Sequence, residues 1–139
     1  MDTYISLDRA DLLVGRVRPV LEEARRLKRE IETIAAGYDY DAVLLEHERP
    51  RLTALAARLT RKLERLEEMG CYVKDLDIGI VDFLCKFEGR DVFLCWKLGE
   101  SRICHWHEIH ETFAQRQPVC DLTQLDLDWF EIPNAPISE

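Results

Sequence analysis

The sequence predicts an α+β domain: an antiparallel hairpin of long helices packed on a three-stranded antiparallel β-meander, followed by a C-terminal arm. Three observations predict it. Apolar residues repeat at heptad spacing through the first half of the chain. Two β-rich runs in the second half are joined by a tight Glu88-Gly89 turn. Charge also divides the chain: residues 1–69 carry 13 basic and 14 acidic side chains, residues 70–139 carry 6 and 13. At 139 residues the chain fits one domain with a worthwhile core, and two would each be too small. Its parts are a helical hairpin over 1–70, a meander with a short helix over 71–120, and an acidic-apolar arm over 121–139.

In the first helix Ala10, Leu13, Val17, Val20, Ala24, Leu27, Ile31 and Ile34 follow the 3,4 spacing of an a/d seam. Ser6 suits the N-cap, Asp8 complements the helix dipole in the first turn, and Gly37 suits the stop. Pro19 predicts a kink or break, because proline removes a helical N–H. Leu52, Ala56, Leu59, Leu63 and Leu66 repeat the seam up to Gly70, with Pro50 near its start and a separate short helical turn within 39–48. The connection falls near Gly37–Asp41. The Arg, Lys and Glu residues between the seams form a solvated face of i,i+4 pairs. Val14 and Leu21 flank the seam and must meet the sheet or a second subunit.

In the second half, Ile78–Phe87, Asp91–Leu98 and Arg102–His107 read as strands. Two-residue turns would pair Phe87 with Arg90, Cys85 with Val92, Phe83 with Leu94 and Val81 with Trp96. They would pair Trp96 with Ile103, Leu94 with His105 and Val92 with His107. The core face then holds Val81, Phe83, Cys85, Val92, Leu94, Trp96, Ile103, His105 and His107. The other face holds Asp82, Leu84, Phe93, Cys95, Lys97, Arg102, Cys104 and Trp106. Such a face needs cover from the tail or a second subunit.

The set Val73-Lys74-Asp75-Leu76-Asp77, Gly79, Val81-Asp82-Phe83, Gly89-Arg90, Leu94-Cys95-Trp96, Leu98-Gly99-Glu100, Trp106-His107, Phe113 and Arg116-Gln117-Pro118 resembles the bacterial and archaeal domain-of-unknown-function 2203 family. The similarity covers roughly residues 4–120, including Ser6-Leu7-Asp8-Arg9-Ala10 at the helical start. It implies a small cytosolic domain with helices first and a sheet after, and it supplies no activity to carry over. An aromatic is more usual in the family where His105 stands.

Chemistry concentrates in His105-Trp106-His107-Glu108-Ile109-His110. Two histidines two apart on a strand share a face, about 7 Å apart. His105, His107 and His110, with Cys85 nearby, could hold Zn²⁺ or another first-row divalent metal. Asp82, Cys95 and Cys104 fall in one expected cross-strand row, read either as a thiol near Lys97 and Arg102 or, more simply, as an ion pair beside inert cysteines. Arg102, Arg116 and Gln117 are candidates for an anion or partner contact. Trp106, Phe93, Trp129 and Phe130 are candidates for an interaction surface.

A net charge of −8 and pI near 5.1 argue against nucleic-acid binding. No stretch is apolar enough to span a membrane, and the N-terminus lacks a signal-peptide pattern. Five cysteines without a CxxC pair suit free thiols in the cytosol. Isolated glycines and the absence of a GxSxG elbow leave no catalytic residue to name. The leading functional expectation is a homodimeric interaction or assembly module without catalysis, with a protein partner reachable through the C-terminal arm. The alternatives are a metal-binding protein or small metal-dependent hydrolase, and an anion-binding sensor.

Overall fold

A computed structural model describes residues 4–37 and 42–119. Two helices come first, α1 (Leu7–Gly37) and α2 (Ala42–Glu68). Five strands follow in a single antiparallel meander ordered β1 (Cys71–Asp75), β2 (Ile80–Phe87), β3 (Arg90–Lys97), β4 (His105–Glu108) and β5 (Gln117–Pro118). A single 3₁₀ turn, Phe113–Gln115, precedes β5. The expected arm, with Trp129 and Phe130, lies outside the described residues.

Each helix is one element, although each contains a proline, Pro19 in α1 and Pro50 in α2. Pro19 and Gly15, whose carbonyl loses its partner, are both exposed, so water can serve that carbonyl. Ser6 caps α1 through its Oγ, which accepts the Arg9 amide at 3.3 Å. The α1 seam divides its work. Ala10, Leu13, Val14, Val17 and Leu21 enter the main core with the sheet, so the flank of Val14 and Leu21 meets the sheet of its own chain. Leu27 and Ile34 form a small second core with Leu55 of α2, edged by Ile31, Leu52 and Leu59. Leu55 is buried where the sequence pattern put Ala56, which is exposed.

The β2–β3 hairpin has the expected register, with Phe87 opposite Arg90, Phe83 opposite Leu94 and Val81 opposite Trp96. Its turn residues Glu88 and Gly89 both have positive φ, 51° and 76°, as a primed two-residue turn needs. The inner face presents Val81, Phe83, Cys85, Phe87, Val92, Leu94 and Trp96 to α1.

Two expectations about the sheet are corrected. The sheet has five strands rather than three. β1 gives little sequence signal, because Tyr72-Val73-Lys74-Asp75 alternates too briefly and ends in a bulge between Val73 and Asp75. β5 is only two residues long and contains Pro118. The second correction is the register of β4. Leu94 faces Trp106, Phe93 faces His107 and Cys95 faces His105, one residue away from the expected pairing. A one-residue slip exchanges the faces of a whole strand. Trp106 therefore joins the inner core beside Phe87, while His105 and His107 go to the outer face, and Cys104 leaves the row of Asp82 and Cys95.

The slip comes from the connection, which spans residues 98–104 instead of two. The backbone carbonyl of Glu100 accepts the Trp96 indole N–H at 2.9 Å and the Arg18 guanidinium at 3.2 Å. The Glu100 carboxylate accepts the Lys97 amide, and Asp11 Oδ1 accepts the Ile103 amide at 2.7 Å. Two α1 side chains thus hold the loop and set where β4 begins.

Candidate functional site

On the outer face, strand pairing lines up Tyr72, Asp82, Cys95 and His105 in one row across β1 to β4, with Leu84, Phe93 and His107 in or near the next. Asp82 is 1% exposed and His107 2%, the two charged or polar residues buried among the described residues. The donor atoms of Asp82, Cys95 and His107 all lie within 4.8 Å of one another. His107 Nε2 sits 2.9 Å from Asp82 Oδ2, and its Nδ1 sits 2.8 Å from the Glu108 carbonyl oxygen. Asp82 Oδ1 is buried without a hydrogen-bond partner.

Burial alone would lower the basicity of His107, but the Asp82 carboxylate and the Glu108 carbonyl outweigh it and raise its pKa above 6.5, against the opposing charge of Lys74. Burial first, and the Asp82 carboxylate second, push the Cys95 thiol up to about 12, while Arg116 pulls the other way. Cys95 is therefore a protonated thiol at neutral pH, as are Cys71 and Cys85, both also near 12 through burial. With both imidazole nitrogens engaged and the thiol protonated, this trio lacks the base-to-nucleophile contact that thiol catalysis needs.

A second polar unit borders the first. Arg116 grips Glu100 with two hydrogen bonds, 3.1 and 2.7 Å, and stacks 4.0 Å from the Phe113 ring centroid. Burial would raise the Glu100 carboxyl, but Arg116 and the Lys97 amide outweigh it and hold the group below its ordinary value of 4.5. His105 faces the same pair, and burial together with Arg116 lowers its pKa against the pull of Glu100. Lys74 Nζ lies 4.4 Å over the Phe93 ring, whose other neighbours are Tyr72 and His107, each 5.6 Å between centroids.

The sequence-predicted residues scatter against this geometry. His107 sits inside the buried trio. His105 shares its face but turns to Glu100 and Arg116. Cys85 lies on the opposite, inner face, its Sγ donating to the Lys86 carbonyl, and His110 is exposed in the turn after β4. The four do not converge, because the register slip moves both strand histidines away from Cys85. Arg116 has its anion within the chain, Glu100. Arg102 and Gln117 are exposed, the latter on edge strand β5. Phe93 is buried under Tyr72, Lys74 and His107, and Trp106 is a core residue rather than a surface one. Asp82 was expected to meet Lys97 or Arg102 and meets His107 instead. The available signal was Asp82 itself, a lone carboxylate inside the apolar run Ile80–Leu84.

Several residues by which the chain resembles a known family, Asp82, Cys95, Glu100, His107 and Arg116, are the ones gathered here. No curated protein and no solved structure matches the chain. The family described as "Uncharacterized conserved protein (DUF2203)" matches residues 3–119, which include every residue of the outer-face cluster. The chain is a member of the uncharacterised DUF2203 family.

Proposed function

We propose that this chain is a self-associating module without catalysis of its own, and that two copies pair through the outward face of α2. The observation that carries the reading is how little of α2 is buried among the described residues. Of its 27 residues, Leu55 and Leu66 are the buried apolar ones among those described. At 1.5 Å per residue α1 and α2 run about 46 and 40 Å, against about 27 Å for an eight-residue strand. The half of the hairpin carrying Leu27, Ile34 and Leu55 relies on that small second core.

The outward row Val43, His47, Pro50, Ala54 and Ala57 is spaced 4,3,4,3 and is exposed throughout, with Val43 at 78% and neighbouring Leu44 at 45%. Heptad spacing on a long helix suits a second helix of the same kind, and small residues allow close approach. The row holds no Lys, Arg, Asp or Glu, and the ion pairs Arg26–Glu23 and Arg51–Glu30 involve residues outside it. We place the chain in the cytosol. Cys71, Cys85, Cys95 and Cys104 are free thiols, which suits a reducing compartment, and no helix among the described residues is long and apolar enough to cross a membrane.

Sedimentation equilibrium at micromolar concentration tests this. The expected result is a dimer that Ala54→Glu with Ala57→Glu converts to a folded monomer. A wild-type monomer, or a dimer indifferent to those two charges, overturns it.

A further inference from the structure

The two partners of His107 make demands that a neutral ring cannot meet. The Glu108 carbonyl can only accept, so Nδ1 carries a hydrogen. A neutral imidazole then has a bare Nε2. Yet Nε2 faces Asp82 Oδ2 at 2.9 Å, and an ionised carboxylate also only accepts. Two acceptors that close, and buried, repel unless a positive species lies between them. A proton meets the need, giving a buried imidazolium–carboxylate pair. A metal ion meets it equally, and two further features favour one. Asp82 Oδ1 is buried and makes no hydrogen bond of ordinary geometry, with the weakly donating Cys95 thiol beside the carboxylate. Cys95, directly across the β2–β3 ladder from Asp82, brings a sulfur to the same point.

We infer that Asp82, Cys95 and His107 form a binding site for a borderline-soft divalent cation of the zinc or cobalt class. One oxygen, one sulfur and one imidazole nitrogen are the donors such ions take, and three protein ligands leave a fourth position for water. The Nδ1–H bond to Glu108 fixes the tautomer that leaves Nε2 to ligate. The inference stands on this cluster and does not depend on self-association.

The exchange balances. Before binding, the carboxylate, imidazolium and thiol sum to zero charge. The ion enters with two positive charges, Nε2 and Sγ each release a proton to solvent, and the ion, carboxylate, neutral imidazole and thiolate again sum to zero. No uncompensated charge is buried at either stage. Of the charged groups around the trio, Arg116 is offset by Glu100, while Lys74 and His105 stand at the edge of the cluster. The donor atoms are within reach: bonds of about 2.0–2.3 Å place tetrahedral ligands about 3.3–3.6 Å apart. The Asp82–His107 contact must therefore open by a few tenths of an ångström, and donor separations, which extend up to 4.8 Å, must close to that spacing as the side chains turn onto the ion.

The test is titration of untagged full-length protein with CoCl₂ under reducing conditions, followed by absorption and by proton release. The expected result is one ion per chain, a thiolate-to-cobalt charge-transfer band with tetrahedral d–d bands, and two protons released per ion. Cys95→Ser should abolish the charge-transfer band and weaken binding at least tenfold, His107→Asn should weaken it comparably, and Cys104→Ser should change neither. Circular dichroism verifies that each variant folds. Absence of the band in the wild-type protein overturns the inference whatever the variants do. So does a band that survives in Cys95→Ser or is lost in Cys104→Ser.

Discussion

Asp82 and His107 are 25 positions apart in sequence and come from strands that do not pair with each other, yet their side chains meet at 2.9 Å, both buried. The contact spans β3. It exists because β4 starts one residue out of step with a short-turn hairpin. Removing the carboxylate leaves a buried imidazole nitrogen facing nothing. Asp82→Ala should therefore destabilise the domain by about 3–5 kcal/mol in urea denaturation. Asp82→Asn can still donate to a neutral His107 and should cost only about 1 kcal/mol. Equal losses for the two variants would mean that the contact is not polar in the way described.

The register of β4 makes an opposite demand on its neighbours. Trp106 packs in the inner core beside Phe87 and should cost about 3–5 kcal/mol when changed to Ala. His105, at the edge of the outer face, should cost less than about 1 kcal/mol. The reverse ranking in the same denaturation series would restore the pairing that a two-residue turn implies.

That comparison shows where the sequence was readable. The α1 seam, the Ser6 cap and the β2–β3 register are local: heptad spacing and a Glu88-Gly89 turn determine them within a few residues, whereas the α2 seam shifts by one at Leu55. The β4 register depends on Asp11 and Arg18, which reach the connection from α1 more than 80 positions away. Counting along the strand cannot detect such tethers. The candidate site divides in the same way. Asp82 and Cys95 belong to the locally fixed hairpin, so counting along the strands pairs them. His107 belongs to the remotely fixed strand, so the same counting puts it beside Cys85 on the inner face, where it does not lie.

Two turns respond oppositely to substitution. Gly79 has a φ of 76°, and a Cβ there would come 2.7 Å from the Cβ of Leu98, so Gly79→Ala should destabilise by about 1–3 kcal/mol. Glu88 holds a positive φ without being glycine, in a turn that asparagine fits better. Glu88→Asn should stabilise by about 0.5–1 kcal/mol, read as a raised midpoint at unchanged slope. A destabilised Glu88→Asn would contradict the turn type.

The Glu100–Arg116 pair predicts an acid limb. The folded-state pKa of Glu100 is depressed, so its contribution is complete above the ordinary value of 4.5 and fades as pH falls through the folded value. Glu100→Gln should cost about 1–2 kcal/mol at neutral pH. Its stability curve should converge on that of the wild-type protein as pH drops below 4.5. Glu108 and Asp91, also lowered by basic partners, are common to both proteins, so the difference curve reports Glu100 together with His105, which is coupled to it. A constant offset down to the lowest pH would mean that Gln disturbs packing rather than charge.

The most direct measurement is an anomalous difference map from crystals grown with zinc, collected on both sides of the zinc edge. A peak is expected at about 2.0–2.3 Å from His107 Nε2, an Asp82 carboxylate oxygen and Cys95 Sγ. A map with no peak there, or with zinc only on His47 or His110 at the surface, would contradict the cation site.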